Sequence, residues 1–538
     1  MTEKSFAFAR PSSGLVREFT QGYTGFFNAV WPFMAVPVSL PGYYSMATLL
    51  FPHANLPLAI LISVVMGIPP IVAYGLMMSA MPRSSGDYVW VSRTINSVLG
   101  IVVGFMFAVI FCPWLTFNGW VFATTGVSTL LNGFGFVEAA AWASSGIGLE
   151  ILTAVGTIGP LAIIVWGIKR TGQIGIFVAI LALIVNLTMI SMLLSLDRSS
   201  LISGFNAMMG AGAYQNFIDT AKAAGWTGIL PFGEPYNAYD TMVVGAMGAS
   251  GITIFAWAAL PLVGEIKNAE RAKSNIFMMF IPLVVAAVLV SVYFTLYTSL
   301  ASEIHTAIFY LGNEGNELVD TLPFYWAFTS TYLPGMALGE SALSLVSVVV
   351  GVGFSFGALY SNSMNNVLPV RYIFAMAFDG VLPRKLAYVH PRFHIPLVGY
   401  LVLAAGGLVW QTMTYFYPAF WHYWAFMVAG QAALWFCGCL SATVFPYRLK
   451  SVYKASPAAK YVVGGIPLIT VAGILGVISM GWFIAVNLGV PELGGTQNVP
   501  TLVALGIFAA IVYFAFKYYR MRTEGIDISL AFREIPPE

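Results

Sequence analysis

Charge is the scarcest feature of this sequence: Lys, Arg, Asp and Glu make up only 9% of its 538 residues, and they nearly cancel to a net +2. No nucleic-acid partner is expected from so small a balance. Cysteine is almost absent, and Cys112, Cys437 and Cys439 all fall in apolar runs, where they act most simply as small packing residues rather than as a disulfide framework. Phosphate-loop and HExxH signatures are missing and no GxSxG is followed by suitable partners, so the chain has no visible means of hydrolysing a nucleotide and is not expected to be an enzyme. Histidines are few. His390 and His394 lie four apart, but Pro391 between them argues against one helical face offering both to a metal, and neither a metal nor a cofactor is expected. Residues 1 to 20 carry Lys4, Arg10 and Arg17 and lack an apolar core ending at a small-residue cleavage site, so no removable signal peptide is expected.

What the sequence has instead is hydrophobic length. Hydrophobic residues make up 59% of it and gather in runs of about 20 or more, the length that crosses a bilayer core. The reading is an all-α integral membrane protein with twelve spans, near 24–50, 56–80, 97–131, 149–168, 172–196, 243–264, 275–300, 341–370, 396–414, 420–446, 461–488 and 500–519. Placing the N-terminus in the cytoplasm puts 22 of the 24 Lys and Arg on one side, leaving only Arg198 and Lys222 outside. Basic residues near span ends resist translocation, so both termini are expected to be cytoplasmic and the membrane to be the plasma membrane. Two long outer connections, 197–242 and 301–340, hold aromatics such as Tyr214, Trp226 and Trp326. They are expected either to pack as lids over an outer vestibule or merely to cover surface.

Two spans carry signs of interruption. Residues 37–44 read PVSLPGYY in the middle of span one, where each proline removes a backbone donor and clashes with the preceding turn. Span six reads GASGITIFAWAALPLVGEIKN, and Ala259-Leu260-Pro261 echoes Ser39-Leu40-Pro41. Each of these spans opens a five-helix set, 24–196 and 243–446, the sets being flanked by tails at 1–23 and 520–538 and followed by two further helices within 447–519. Matching interruptions in corresponding spans point to inverted repeats with a binding site between them. Unwinding a helix at that depth frees N–H and C=O groups that lipid cannot satisfy, and a small polar guest can: a half-helix N-terminus holds a carboxylate, frayed carbonyls an ammonium or sodium ion. The alternative is a proline kink satisfied by neighbouring helices. On this reading Val38, Ser39, Leu40, Pro41 and Gly42 of span one, with Phe255, Ala256, Trp257 and Ala258 of span six, bind the substrate.

Three segments, MPRSSGDYVWVSR (81–93), EIKNAERAKSN (265–275) and RYIFAMAFDGVLPRKLAYVHPRFHIP (371–396), resemble in order and place the loops after spans two, six and eight of the amino acid/polyamine/organocation transporter superfamily. YRLKSVYKASPAAKYVVGGIPLI (447–469) is similar to that family's segment before span eleven, and the likeness runs from about residue 20 to 520. The resemblance implies a LeuT-like fold, two inverted five-helix repeats plus two trailing helices, moving amino acids or related amines by alternating access. The sequence also departs from the family. Its span-one break is Val38-Ser39-Leu40-Pro41-Gly42 rather than a GxG type, Pro261 stands where some members have an acid, and the neighbourhood of Ala182 lacks the span-five lysine of some proton-coupled members.

The polar residues narrow the cargo. No charged side chain falls at mid-membrane depth, whereas a polyamine or arginine site is expected to offer a carboxylate to the distal cation. A neutral amino acid is therefore the preferred substrate, enclosed by Phe111, Phe255 and Trp257, with Phe255 and Trp257 as gating residues; aromatic faces and carbonyls keep the cationic reading open. The stretch SNSMNN (361–366) is the most polar at membrane depth, and matching to the family places Asn365 towards the site. Asn118 is a further candidate contact, and Gln431 resembles it; interhelical hydrogen bonding is the alternative for all of these amides. Ser355 with span-one carbonyls is a candidate ion site, the coupling ion being Na+ or H+. Rival readings are a polyamine or organic-cation carrier, a non-transporting ligand sensor and a channel, the last lacking the continuous polar stripe a pore needs. The amino acid and the lipid bilayer are the expected partners, and the oligomeric state is open.

Overall fold

Backbone in lipid must satisfy its N–H and C=O groups within its own segment, and helix accordingly dominates. The computed structural model describes residues 20–35, 47–228, 236–251, 260–324, 326, 329–417, 424–491 and 495–536. Among these, ten helices are long and apolar enough to cross a bilayer, and they fall on expected spans two to five and seven to twelve. Expected spans one and six are the two whose middles lie outside the described residues.

Helix α1 (Gln21–Ala35) belongs to span one, which is helical again at 47–50. Asn55 starts α2 (Leu56–Ala80), its side chain accepting from the Leu58 N–H at 3.1 Å, with Pro57 in the first turn. A short helix, α3 (Gly86–Thr94), precedes α4 (Ser97–Val121), which Asn96 caps and which continues through a π-helical stretch, Phe122–Ser128, to Gly133. Then come α5 (Gly146–Ile158), α6 (Ile168–Leu194), α7 (Ala238–Gly251), α8 (Ala272–Leu300), α9 (Glu340–Phe378), α10 (Leu397–Phe416), α11 (Trp424–Arg448), α12 (Leu468–Gly489) and α13 (Val499–Thr523).

Four boundaries differ from the sequence expectation. The turn after span four comes at Gly167, whose φ of 91° glycine reaches without strain, so Lys169 and Arg170 belong to the first turn of α6 rather than to a loop. Helix α9 does not stop at 370; it runs to Phe378 and ends where Gly380 takes a φ of 84°. Residues 461–467 are not helical. There β1 (Val462–Val463) pairs with β2 (Ile466–Pro467) across Gly464-Gly465, both with positive φ, as a two-residue hairpin turn requires. The end of expected span six, Leu260–Glu265, is a fully buried 3-10 turn rather than α-helix.

Two groupings of helices emerge from the packing. Helix α2 lies against α7 and α8, and α1 against α8; α4 lies against α5, α9 and α10, and α9 against α5 and α10. The contacts match when each helix of the first set is exchanged for the one five spans on: α2–α7 becomes α8–α1, α4–α10 becomes α9–α5, α4–α11 becomes α9–α6, and α2–α8 and α4–α9 map onto themselves. The described parts of the long connections are largely helical. The Arg198–Met209 helix packs on Thr329–Leu338 and the Ala213–Ala223 helix on Ser302–Asn313, with the Tyr310 hydroxyl donating to the Ala224 carbonyl at 3.0 Å and Phe309 meeting Trp326 edge-on at 5.2 Å.

Candidate functional site

The residues that the sequence marks as breaks, Val38, Ser39, Leu40, Pro41 and Gly42 with Phe255, Ala256, Trp257 and Ala258, lie outside the described residues. Their surroundings are described. At the end of α1, the Phe33 carbonyl accepts from Asn186 Nδ2 of α6 at 2.8 Å, and Met34 packs against Gly357 of α9, where an added Cβ would lie 2.0 Å from the methionine methyl. A larger residue there would push the methionine side chain aside. Asn186 is buried, spends its second amide hydrogen on the Ala182 carbonyl one turn back, and leaves Oδ1 without a hydrogen-bond partner among the described residues. It lies in the span-five stretch read for a missing lysine, where its amide went unremarked.

Helices α4 and α9 supply the rest. On α4, Phe111 and Asn118 are seven residues apart and therefore share a face with Gly104, which meets the rings of Tyr88 and Tyr372. Phe111 is buried and packs on Phe107 at 4.7 Å, which in turn packs on Tyr372 of α9 at 4.6 Å. Asn118 donates to its own Trp114 carbonyl at 3.1 Å, and its Oδ1 has no partner among the described residues.

The asparagines of α9 divide by face. Asn362 donates to the carbonyls of Leu115 and Gly156, at 2.8 and 2.9 Å, tying α9 to α4 and α5, and Asn366 donates back to the Asn362 carbonyl. Ser355 shares that face: Gly126 of the π-helical stretch approaches so closely that a Cβ there would lie 2.8 Å from Ser355 Oγ. Asn365 and Ser361 stand between this face and the one carrying Gly357, which meets α1. Both are buried, and among the described residues the Ser361 hydroxyl and the Oδ1 atoms of Asn362 and Asn366 have no hydrogen-bond partner. Gln431 of α11 is likewise buried with Oε1 unpartnered. The column that results offers amides, hydroxyls and aromatic faces, and no charge.

Charge is gathered at one end of the column, in segments that the sequence reading had placed as loops. Arg371, fully buried near the end of α9, forms a two-pronged ion pair with Glu265 and donates to the Tyr400 hydroxyl at 3.0 Å. Arg93 of α3 holds both carboxylate oxygens of Asp379, at 2.8 and 2.7 Å, and Tyr88 donates to the same carboxylate at 2.9 Å. Burial, followed by the Asp379 carboxylate, pushes the Tyr88 hydroxyl well above the usual tyrosine range. The loop carrying α3 is pinned to the 3-10 turn by Ser85 N–H donating to the Pro261 carbonyl at 2.9 Å. The signal for this cluster was present in the three segments quoted for the family resemblance, which carry every one of these charges.

A family model described as amino acid permease matches residues 44–524, most of the chain and all of the helices from α2 to α13. No curated protein sequence matches it. The matched family is one of membrane transporters and not of enzymes.

Proposed function

The chain belongs to the amino acid permease family, and on that premise we propose that it is a secondary active transporter for neutral amino acids. It works by alternating access in the plasma membrane, with twelve spans, inverted repeats at 24–196 and 243–446, and both termini cytoplasmic, which makes the charged end the cytoplasmic one. The observation that carries the neutral preference is the column between α4 and α9: Asn118 Oδ1 and the Ser361 hydroxyl are buried without partners among the described residues, Asn365 is buried, and the buried arginines Arg93 and Arg371 are already paired with carboxylates. A zwitterion fits such a lining without an uncompensated third charge. The matched helix contacts support the repeats. Residues 38–42 and 255–258 supply bare peptide groups for the α-carboxylate and α-ammonium, Phe111 and Trp257 enclose the side chain, and Phe255 swings as a thin gate. Ser355 lies against the π-helical stretch of α4, where its hydroxyl stands as a ligand for a coupling ion.

The test is uptake into reconstituted vesicles from a panel of labelled neutral amino acids, arginine and putrescine. Neutral substrates are expected to exchange by counterflow and putrescine is not. Gly42→Leu and Trp257→Ala should abolish uptake while the protein stays folded; wild-type uptake by both variants refutes the site placement.

A further inference from the structure

Between the column and the charged end lies a carboxylate that the ion pairs do not use. Asp87 of α3 is fully buried. Its Oδ1 accepts from the Tyr372 hydroxyl and from the Tyr88 N–H at 3.1 Å, while Oδ2 has no partner among the described residues. The groups facing it are Tyr74 from α2, Tyr372 from α9, and the thiols of Cys437 and Cys439 from α11. None is a cation. The arginines of this end are engaged elsewhere: Arg93 by Asp379, Arg371 by Glu265, Arg83 by the Pro536 carbonyl and Arg520 by Glu524 and the Gly380 carbonyl; Glu265 is also the titratable side chain of the 3-10 turn packed on α3. Burial lifts the carboxyl to about 7, against the hydrogen bonds that favour the anion, that of the Tyr372 hydroxyl foremost.

The position of Asp87 couples it to motion. Tyr74 and Tyr372, which face it from two sides, belong to the two different helix groupings, α2 and α9. Separation of those groupings at the charged end admits water to the carboxylate.

We propose that Asp87 is a proton site: it holds a proton while the charged end is closed, as here, and gives it up to water on that side when the end opens. The proposal rests on the transport reading above. The sign follows from linkage. A group that binds its proton more tightly in the closed state favours closure below its closed-state midpoint and loses that effect as pH rises through it. With an ordinary carboxylate in the open state, acidification from about pH 8 to about pH 6 shifts the balance towards closure about tenfold.

The first test is infrared titration of the purified full-length protein, following the carbonyl stretch of a protonated carboxylic acid. The expected band titrates with a midpoint about 7, is lost in Asp87→Asn, and moves to higher pH in Tyr372→Phe, which folds with its carboxylate intact and loses one donor to the anion. Absence of the band from the wild type, or its survival in Asp87→Asn, overturns the proton site. The second test is counterflow of a labelled neutral amino acid in vesicles. The wild type should slow on the acid side of about pH 7, and Asp87→Asn, locked in the neutral form, should run slowly at every pH. A titrating band with identical pH profiles in the two proteins overturns the link to opening. Absence of counterflow for every substrate refutes the transport reading alone, since the band is read without transport.

Discussion

Asn362 and Asn365 sit within one turn of α9, and only the family resemblance separates them in the sequence, yet their surroundings set them different tasks. Asn362 gives both amide hydrogens to carbonyls of neighbouring helices. Replacing it with alanine removes two interhelical bonds, a loss of about 1–2 kcal/mol, and is expected to lower the melting temperature in detergent with a modest effect on substrate KM. Among the described residues no side-chain hydrogen bond ties Asn365 to a neighbouring helix, so Asn365→Ala should leave the melting temperature unchanged and raise KM by about tenfold, the price of one hydrogen bond to a bound zwitterion. The reverse pattern would exchange the roles of the two residues. The sequence made the polarity of SNSMNN plain, but not which amide was spent; that depends on whether a carbonyl of α4 or α5 lies within reach. Charged residues were misplaced for a related reason. Hydropathy counts every charge against a span, and cannot see that Arg371 and Glu265 meet across 106 positions of chain and bury together.

At the level of elements, prolines are an uneven guide. Pro69-Pro70 lie inside α2 and Pro113, Pro282, Pro369 and Pro446 inside other long helices, none of which they end. Neighbouring helices and side-chain hydroxyls satisfy the freed carbonyls, so a proline alone does not mark a break. What singles out residues 37–42 is the union of two prolines with Gly42 and a counterpart in span six. Glycines were better markers: Gly167, Gly380 and Gly464-Gly465 set the boundaries that hydropathy missed, because each adopts a positive φ. The element ends also predict an energetic asymmetry. The Glu265–Arg371 pair joins the 3-10 turn to α9 with both side chains buried. Glu265→Gln or Arg371→Gln alone strands a buried charge and should cost about 3–5 kcal/mol, read as loss of monodisperse protein or a sharply lower melting temperature. The double variant, Glu265→Gln with Arg371→Met, removes both charges and should recover most of that loss. Equal damage in single and double variants would mean that shape, rather than charge, holds the turn.

Over the whole molecule, the helical membrane-spanning class and ten of the expected spans are legible because lipid imposes length on the apolar runs. The arrangement of helices became visible only through contacts, and so did the fate of the C-terminal segment, which the sequence presents as a plain tail at 520–538. The segment folds back across the charged end. Arg93 stacks 4.9 Å from the Phe532 ring and donates to the Glu534 carbonyl at 3.3 Å, while Arg83 donates to the Pro536 carbonyl at 2.6 Å. From the base of the segment, Arg520 donates to the Gly380 carbonyl beyond α9 at 2.6 Å. One stretch of chain thus braces α3 against the end of α9. If that end must part for alternating access, the brace favours the closed arrangement, and deleting residues 524–538 should shift the balance towards opening. Cys437 and Cys439 are native reporters, buried beside Asp87. A membrane-impermeant maleimide applied to the charged face of oriented vesicles should label them several-fold faster in the truncated protein, and Cys437→Ser with Cys439→Ser should abolish the increase. Unchanged labelling with a lowered melting temperature would make the segment a stabilising cover with no hold on opening.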